Sequence, residues 1–164
     1  MSVMKIYVYP SQALRAETST VTVFDDELKK LVADMFETMF AADGVGLAAP
    51  QVGVAKKIVV VDYHGEKFVI INPEISGPGP LVENEEGCLS FPGIYEKVLS
   101  PKYFRLNYQD ENGGTHEKDF DGFLACVLSH EIDHLNGKLL IDRVSPLKRQ
   151  FLKKKIAKRA KEEL

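Results

Sequence analysis

The chain has no tryptophan, only two cysteines, only four histidines and no long apolar run. Each shortage excludes a class of protein. Cys88 and Cys126 are too few for a disulfide framework, so each thiol must serve in packing, catalysis or metal ligation. A membrane span needs about 18 consecutive apolar residues, far more than the short run Phe123–Leu128 offers. The opening Met1-Ser2-Val3-Met4-Lys5-Ile6-Tyr7 lacks an apolar stretch followed by a small-residue cleavage site, so the expected location is the cytoplasm, with no membrane association.

What is present is an ordinary globular composition. In 164 residues, 45% are hydrophobic and 27% charged, too apolar for a disordered chain and enough for one core, so a single domain over 1–164 is expected. The net charge of −3 is unevenly spread: residues 147–164 carry eight Lys/Arg against two Glu, a local +6 that leaves −9 on the remainder.

Periodicity then orders the chain. After Asp25, a plausible N-cap, Leu28, Leu31, Val32, Met35, Phe36, Met39 and Phe40 recur at helical spacing, predicting a helix that ends near Ala41 or Ala42. Gly44 and Gly46 follow and are free to take positive φ there. Short β-branched and aromatic runs come next at Ile58–Tyr63, Lys67–Asn72, Ile94–Leu99, Tyr103–Tyr108 and Thr115–Phe120, the last two joined by Asn112-Gly113-Gly114. A second helix is predicted from Phe123 to Asn136 with Gly137 as its stop, and a third, basic one over 146–164 opened by Pro146. The expected class is therefore α+β: short antiparallel strands packed around a central helix, with a C-terminal helix after it.

The central helix carries the chemistry. His130-Glu131-Ile132-Asp133-His134 places two histidines at i and i+4 on one face, able to reach a single metal ion, with Glu131 beside them to handle the proton of an activated water. A catalytic site of this kind needs a third protein ligand, and no fitting His or Glu follows Gly137. Cys126 precedes His134 by eight residues, about 12 Å along the axis, whereas Cys and His arms span roughly 10 Å through a shared metal. It reads as a small buried residue lining the site. Cys88, in Glu85-Glu86-Gly87-Cys88-Leu89-Ser90, is open to two readings: the thiolate that completes a Cys/His/His site, or a buried structural thiol.

Three segments, Gly44-Val45-Gly46-Leu47-Ala48-Ala49-Pro50-Gln51, Glu86-Gly87-Cys88-Leu89-Ser90 and His130-Glu131-Ile132-Asp133-His134-Leu135, together resemble the peptide deformylases in order and spacing. The likeness runs from about Ile6 to Ser145-Pro146-Leu147. It implies hydrolytic removal of the formyl group from N-terminal formylmethionine of newly made proteins, with formate released and N-formylmethionyl nascent peptides as partners. It also implies one divalent metal ion per chain held by Cys88, His130 and His134, characteristically Fe(II), with Zn, Ni or Co able to take its place. Gln51, through its side-chain amide, and Leu89, through its backbone N–H, would face the developing oxyanion. Gly44 and Gly46 would let the main chain approach an extended substrate, and Val45, Phe123, Cys126 and Val127 are candidates for the methionine pocket. Two positions depart from the family's pattern: Ser129 stands where Gln is common, and Tyr95 where several members carry Arg.

The basic helix has two readings, a solvated element packed through Leu147, Phe151, Leu152 and Ile156, or a handle that docks on ribosomal RNA. Two other functions compete with the deformylase. A small metallopeptidase would require a downstream ligand, and an RNA-binding module with a structural metal would require four ligands and leave Glu131 and Gln51 idle.

Overall fold

The protein is described here over residues 2–162 in a computed structural model, so Met1 and the last two positions of the expected helix 146–164, Glu163 and Leu164, lie outside the described residues. Helix α1 (Asp26–Ala41) begins where Asp25 Oδ1 accepts the Leu28 N–H at 3.0 Å, as its capping position demands. It ends at Ala41, within the expected bounds, but the residue that turns the chain is not a glycine. The left-handed residue is Asp43, at φ 55°, and neither Gly44 nor Gly46 has a positive φ; Asp tolerates this region because its short polar side chain costs little there. The two glycines are needed for space. A Cβ on Gly44 would lie 2.7 Å from Leu89 Cδ1, and one on Gly46 2.9 Å from Glu131 Cγ.

Seven strands follow: β1 (Gly46–Ala48), β2 (Ile58–Tyr63), β3 (Glu66–Ser76), β4 (Leu81–Cys88), β5 (Phe91–Pro101), β6 (Tyr103–Gln109) and β7 (Thr115–Asp121). All ladders are antiparallel, in a five-stranded sheet of order β1-β2-β3-β6-β7 and a separate β4-β5 hairpin. The run Ile58-Val59-Val60-Val61 is wholly buried because helices cover both faces of the sheet. Ile58 and Val60 pack with Val32, Met35 and Met39 of α1, while Val59 and Val61 pack with Ala125, Leu128 and Ile132 of α2 (Gly122–Leu135). Helix α2 stops where Gly137 takes φ 70°.

The hairpin forms a third cluster, in which Phe91, Ile94 and Val98 meet Leu139, Leu140, Ile141 and Leu152. Leu152 lies on α3 (Pro146–Glu162), and this helix corrects a second expectation. Leu152 is buried and Ile156 partly so, but Leu147 and Phe151 are 78% and 65% exposed. The two i, i+4 pairs lie about 140° apart around the helix, so only one can face the hairpin. Arg159, one turn beyond Ile156, joins the packed stripe by donating to the Pro92 carbonyl at 2.9 Å. Among the described residues, no helix is long and apolar enough to cross a membrane.

Candidate metal centre

Helix α2 presents His130 and His134 from adjacent turns, their rings perpendicular with centroids 5.2 Å apart. The β4-β5 hairpin brings Cys88 to them across more than forty residues of sequence. A register shift between Gly87 and Cys88 ends the regular ladder there, and Cys88 pairs directly with Phe91. Its Sγ lies 3.4 Å from His134 Nε2, and one donor atom from each of Cys88, His130 and His134 falls within 4.8 Å of the others. Among the described residues this trio is the group able to hold a metal ion. Cys126, as expected, is outside it.

Burial explains the electrostatics. It pushes the Cys88 thiol up to about 12, despite backbone N–H groups of Ser90 and Phe91 directed at the sulfur, and lowers His130 to about 4. His134 is driven in the same direction by burial and by His130. Two neutral imidazoles and a sulfur therefore converge, with His130 Nε2 buried and lacking a hydrogen-bond partner. This donor set suits a divalent first-row metal such as zinc or iron, and three protein donors leave a coordination position open. A structural site would be closed by a fourth.

Glu131 is 5% exposed, and its Oε2 is likewise buried without a partner. Burial, then the neighbouring charges of Glu86 and Asp133, raises its carboxyl to about 8. Gly46 on edge strand β1 backs directly onto it. These residues line a cleft of about 490 Å³ together with Gly44, Val45, Leu89, Tyr95, Phe123, Cys126 and Val127. All six residues expected to contact substrate are thus brought to one cavity. Gln51 is not on its wall: fully buried, it accepts the Ala48 N–H through Oε1 at 2.9 Å, and its Nε2 donates to Ser90 Oγ at 3.1 Å and lies 3.5 Å from Cys88 Sγ.

Two residues with no role assigned from sequence hold the site together. Ser90, fully buried, accepts from Gln51 and donates to the Tyr7 carbonyl at 2.7 Å. The Tyr7 and Tyr9 N–H groups reach Gln51 O and Ser90 O, so the N-terminal segment ties both loops. Glu86, 9% exposed, accepts from the Cys126 thiol and is raised to about 7 by burial. Cys126 is therefore more than an apolar filler; its S–H has a carboxylate partner. Asp133 accepts from Arg143 at 2.6 and 2.8 Å, on the outer side of the helix. His64 sits in a turn at φ 52°, and His116 bonds Asp110 at 2.7 Å, both away from the site.

The sequence profile described as polypeptide deformylase matches residues 3–150. The peptide deformylase of Thermotoga maritima is 46% identical over 153 residues, 93% of each chain. A crystal structure of a peptide deformylase from Legionella pneumophila superposes with a TM-score of 0.93 at 43% identity, covering 99% of this chain and 98% of that one. One from Ehrlichia chaffeensis, in complex with actinonin, gives 0.91 at 40% identity over 97% and 98%. Sequence, backbone and the Cys/His/His convergence agree over nearly the full length, and the chain belongs to the polypeptide deformylase family.

Proposed function

We propose that this enzyme hydrolyses the formamide of N-terminal formylmethionine on nascent peptides, releasing formate, with Cys88, His130 and His134 as ligands of one divalent cation. The observation that carries this reading is the buried, unpartnered Glu131 carboxylate beside a three-donor group in an open cleft. A formamide is a stable carbonyl with a poor amine leaving group, so it requires a strong nucleophile, stabilisation of charge on oxygen and a proton for nitrogen. When bound, the cation acts as a Lewis acid, polarising the carbonyl and lowering the pKa of water towards neutrality. Fe(II) is the proposed native ion; zinc, nickel and cobalt suit the same donors.

Glu131 takes the proton of the attacking water and returns it to the departing amine, a task suited to a buried carboxylate with a free oxygen beside the three donors. The Leu89 N–H donates to the developing oxyanion, and the Gln51 amide does so from behind the cleft wall, through the Nε2 hydrogen that Ser90 does not take, on the side of Cys88; each contributes about 2.7–4 kcal/mol in the transition state. Val45, Phe123, Cys126 and Val127 receive the methionine side chain. Gly44 and Gly46, leading into and on edge strand β1, offer main chain to an extended peptide. The basic α3 docks on the ribosome, and the enzyme acts in the cytoplasm.

The test is formate release from formyl-Met-Ala-Ser by anaerobically purified wild type and Glu131→Ala, with metal quantified in both. The variant should lose about 10²- to 10⁴-fold in turnover at equal metal content. A folded, metal-loaded wild type that releases no formate refutes the reading.

A further inference from the structure

Glu86 is a buried carboxylate that the proposed reaction does not use. It sits on β4 two residues before Cys88 and therefore faces the same side of the hairpin. Its Oε1 accepts the Cys126 thiol, and its Oε2 lies 3.9 Å from His130 Nδ1. Among the described residues, the cation whose charge reaches it is Arg143. Arg143 is gripped by Asp133 through both nitrogens, and Ser100, whose buried hydroxyl has no hydrogen-bond partner, lies beside Cys126. The ring that Glu86 approaches has its other nitrogen, Nε2, buried and unpartnered. His134 differs, because its Nε2 faces Cys88 while its far nitrogen, Nδ1, has no acceptor.

We propose that Glu86 is the positioning residue of His130, taking its Nδ1–H and so leaving Nε2 as the donor aimed at the centre, with Cys126 holding the carboxylate in place. This rests on the reading of His130 as a ligand. The physical basis is general: an imidazole can ligate through one nitrogen only if the other carries the proton, and a carboxylate on that proton fixes both tautomer and ring orientation. Glu86 suits the task because its second oxygen is already committed to Cys126, so rotation about the carboxylate would break one contact to improve another. Cys126 and His130 are four residues apart on α2 and project from one face, which lets a single carboxylate from β4 engage both. The two atoms stand 3.9 Å apart, so the proposed hydrogen bond requires this gap to shorten to about 2.7–3.2 Å.

Two measurements on the zinc-loaded full chain test this. In long-range proton–nitrogen correlation spectra, wild-type His130 should be protonated at Nδ1, with that proton displaced downfield and shifted back in Glu86→Gln. A wild-type ring protonated at Nε2 overturns the proposal without any variant being needed. Zinc transfer to excess chelator should run about 10- to 100-fold faster in Glu86→Gln and Glu86→Ala. Cys126→Ala should move the same way by less, and Cys126→Ser, which restores a donor, should return it towards wild type. A purely structural Glu86 would lower the urea midpoint while leaving the His130 proton and zinc release unchanged, and that result also overturns it. His130→Ala separates the two layers. If it keeps zinc, the ligand reading fails; if it loses zinc while Glu86→Gln does not, only the positioning role fails.

Discussion

Gly46→Ala is the substitution whose effect can be worked most directly from distances. The new Cβ would lie 2.9 Å from Glu131 Cγ, 3.2 Å from Cδ and 3.3 Å from Oε1, against ordinary carbon contacts of about 3.5–4.0 Å. Something must move by about 0.6–1 Å. Gly46 is held by the register that pairs it with Val61, and α2 is held by Leu128 and Ile132 in the core beneath the sheet. The Glu131 side chain is what remains free to yield. A misplacement of about 1 Å in a reacting group costs roughly 10²-fold, or about 2.7 kcal/mol of activation free energy. The assay is formate release from formyl-Met-Ala-Ser at pH 7, at matched metal content, with kcat and KM resolved and the unfolding midpoint recorded. Gly44→Ala is the control. Its Cβ would meet Leu89 Cδ1 at 2.7 Å, but that atom ends a flexible side chain, and a rotamer adjustment of about 0.5–1.5 kcal/mol predicts less than roughly a tenfold change. Gly46→Ala activity within twofold of wild type, beside a Glu131→Ala variant that is dead, would refute the positional argument. Full activity in both would remove Glu131 from the chemistry.

Three further outcomes are expected. Without metal, Glu131 has a folded-state pKa near 8 and an unfolded one near 4.5, so folding binds the proton more tightly and stability falls as pH rises through the folded value. Between about pH 6.5 and 8 the loss from Glu131 is on the order of 1–2 kcal/mol; urea unfolding of metal-free protein under reducing conditions measures it, and Glu131→Gln should remove that part of the slope. Ser90→Ala leaves a Gln51 N–H without its acceptor in a fully buried site and should cost about 1–3 kcal/mol by chemical denaturation, with kcat falling more than KM rises. Reversing the exposed Lys153, Lys154, Lys155 and Lys158 to Glu spares the packed Leu152 and should abolish salt-sensitive ribosome binding while formate release from a tripeptide persists; unchanged ribosome binding rejects that role for α3.

Which parts could be read from sequence follows from the range of the interactions involved. The α1 cap, the α2 stop at Gly137 and the β6–β7 hairpin are specified within a few residues of themselves, and the local pattern is enough. Strands β1 and β4 were missed for opposite reasons. The first is only three residues long, Gly46-Leu47-Ala48, too short for an alternating pattern, and the second is a polar run, Glu83-Asn84-Glu85-Glu86, whose partner β5 supplies the burial. The failure on α3 has the same origin: two apolar stripes are present, and which one packs depends on where the hairpin lies.

The site shows the same division more sharply. His130, Glu131 and His134 lie within five residues of helix, so their convergence is a matter of helical geometry. Cys88 joins them through a hairpin whose position no local pattern encodes, and from spacing it stood equally as a ligand or a structural thiol. One signal was nonetheless present. Strand alternation puts Glu86 on the side of Cys88, so a ligand at Cys88 carries a carboxylate to the centre with it, and the helix that offers His130 to that carboxylate offers Cys126 from the preceding turn. A period of two on β4 and a step of four on α2 therefore imply the Glu86–Cys126–His130 contact once a single fact, that Cys88 meets His134, is granted. The Gln51–Ser90–Tyr7 connection admits no such shortcut. It links three loops through two hydrogen bonds, and neither partner in either bond is set by a repeating pattern.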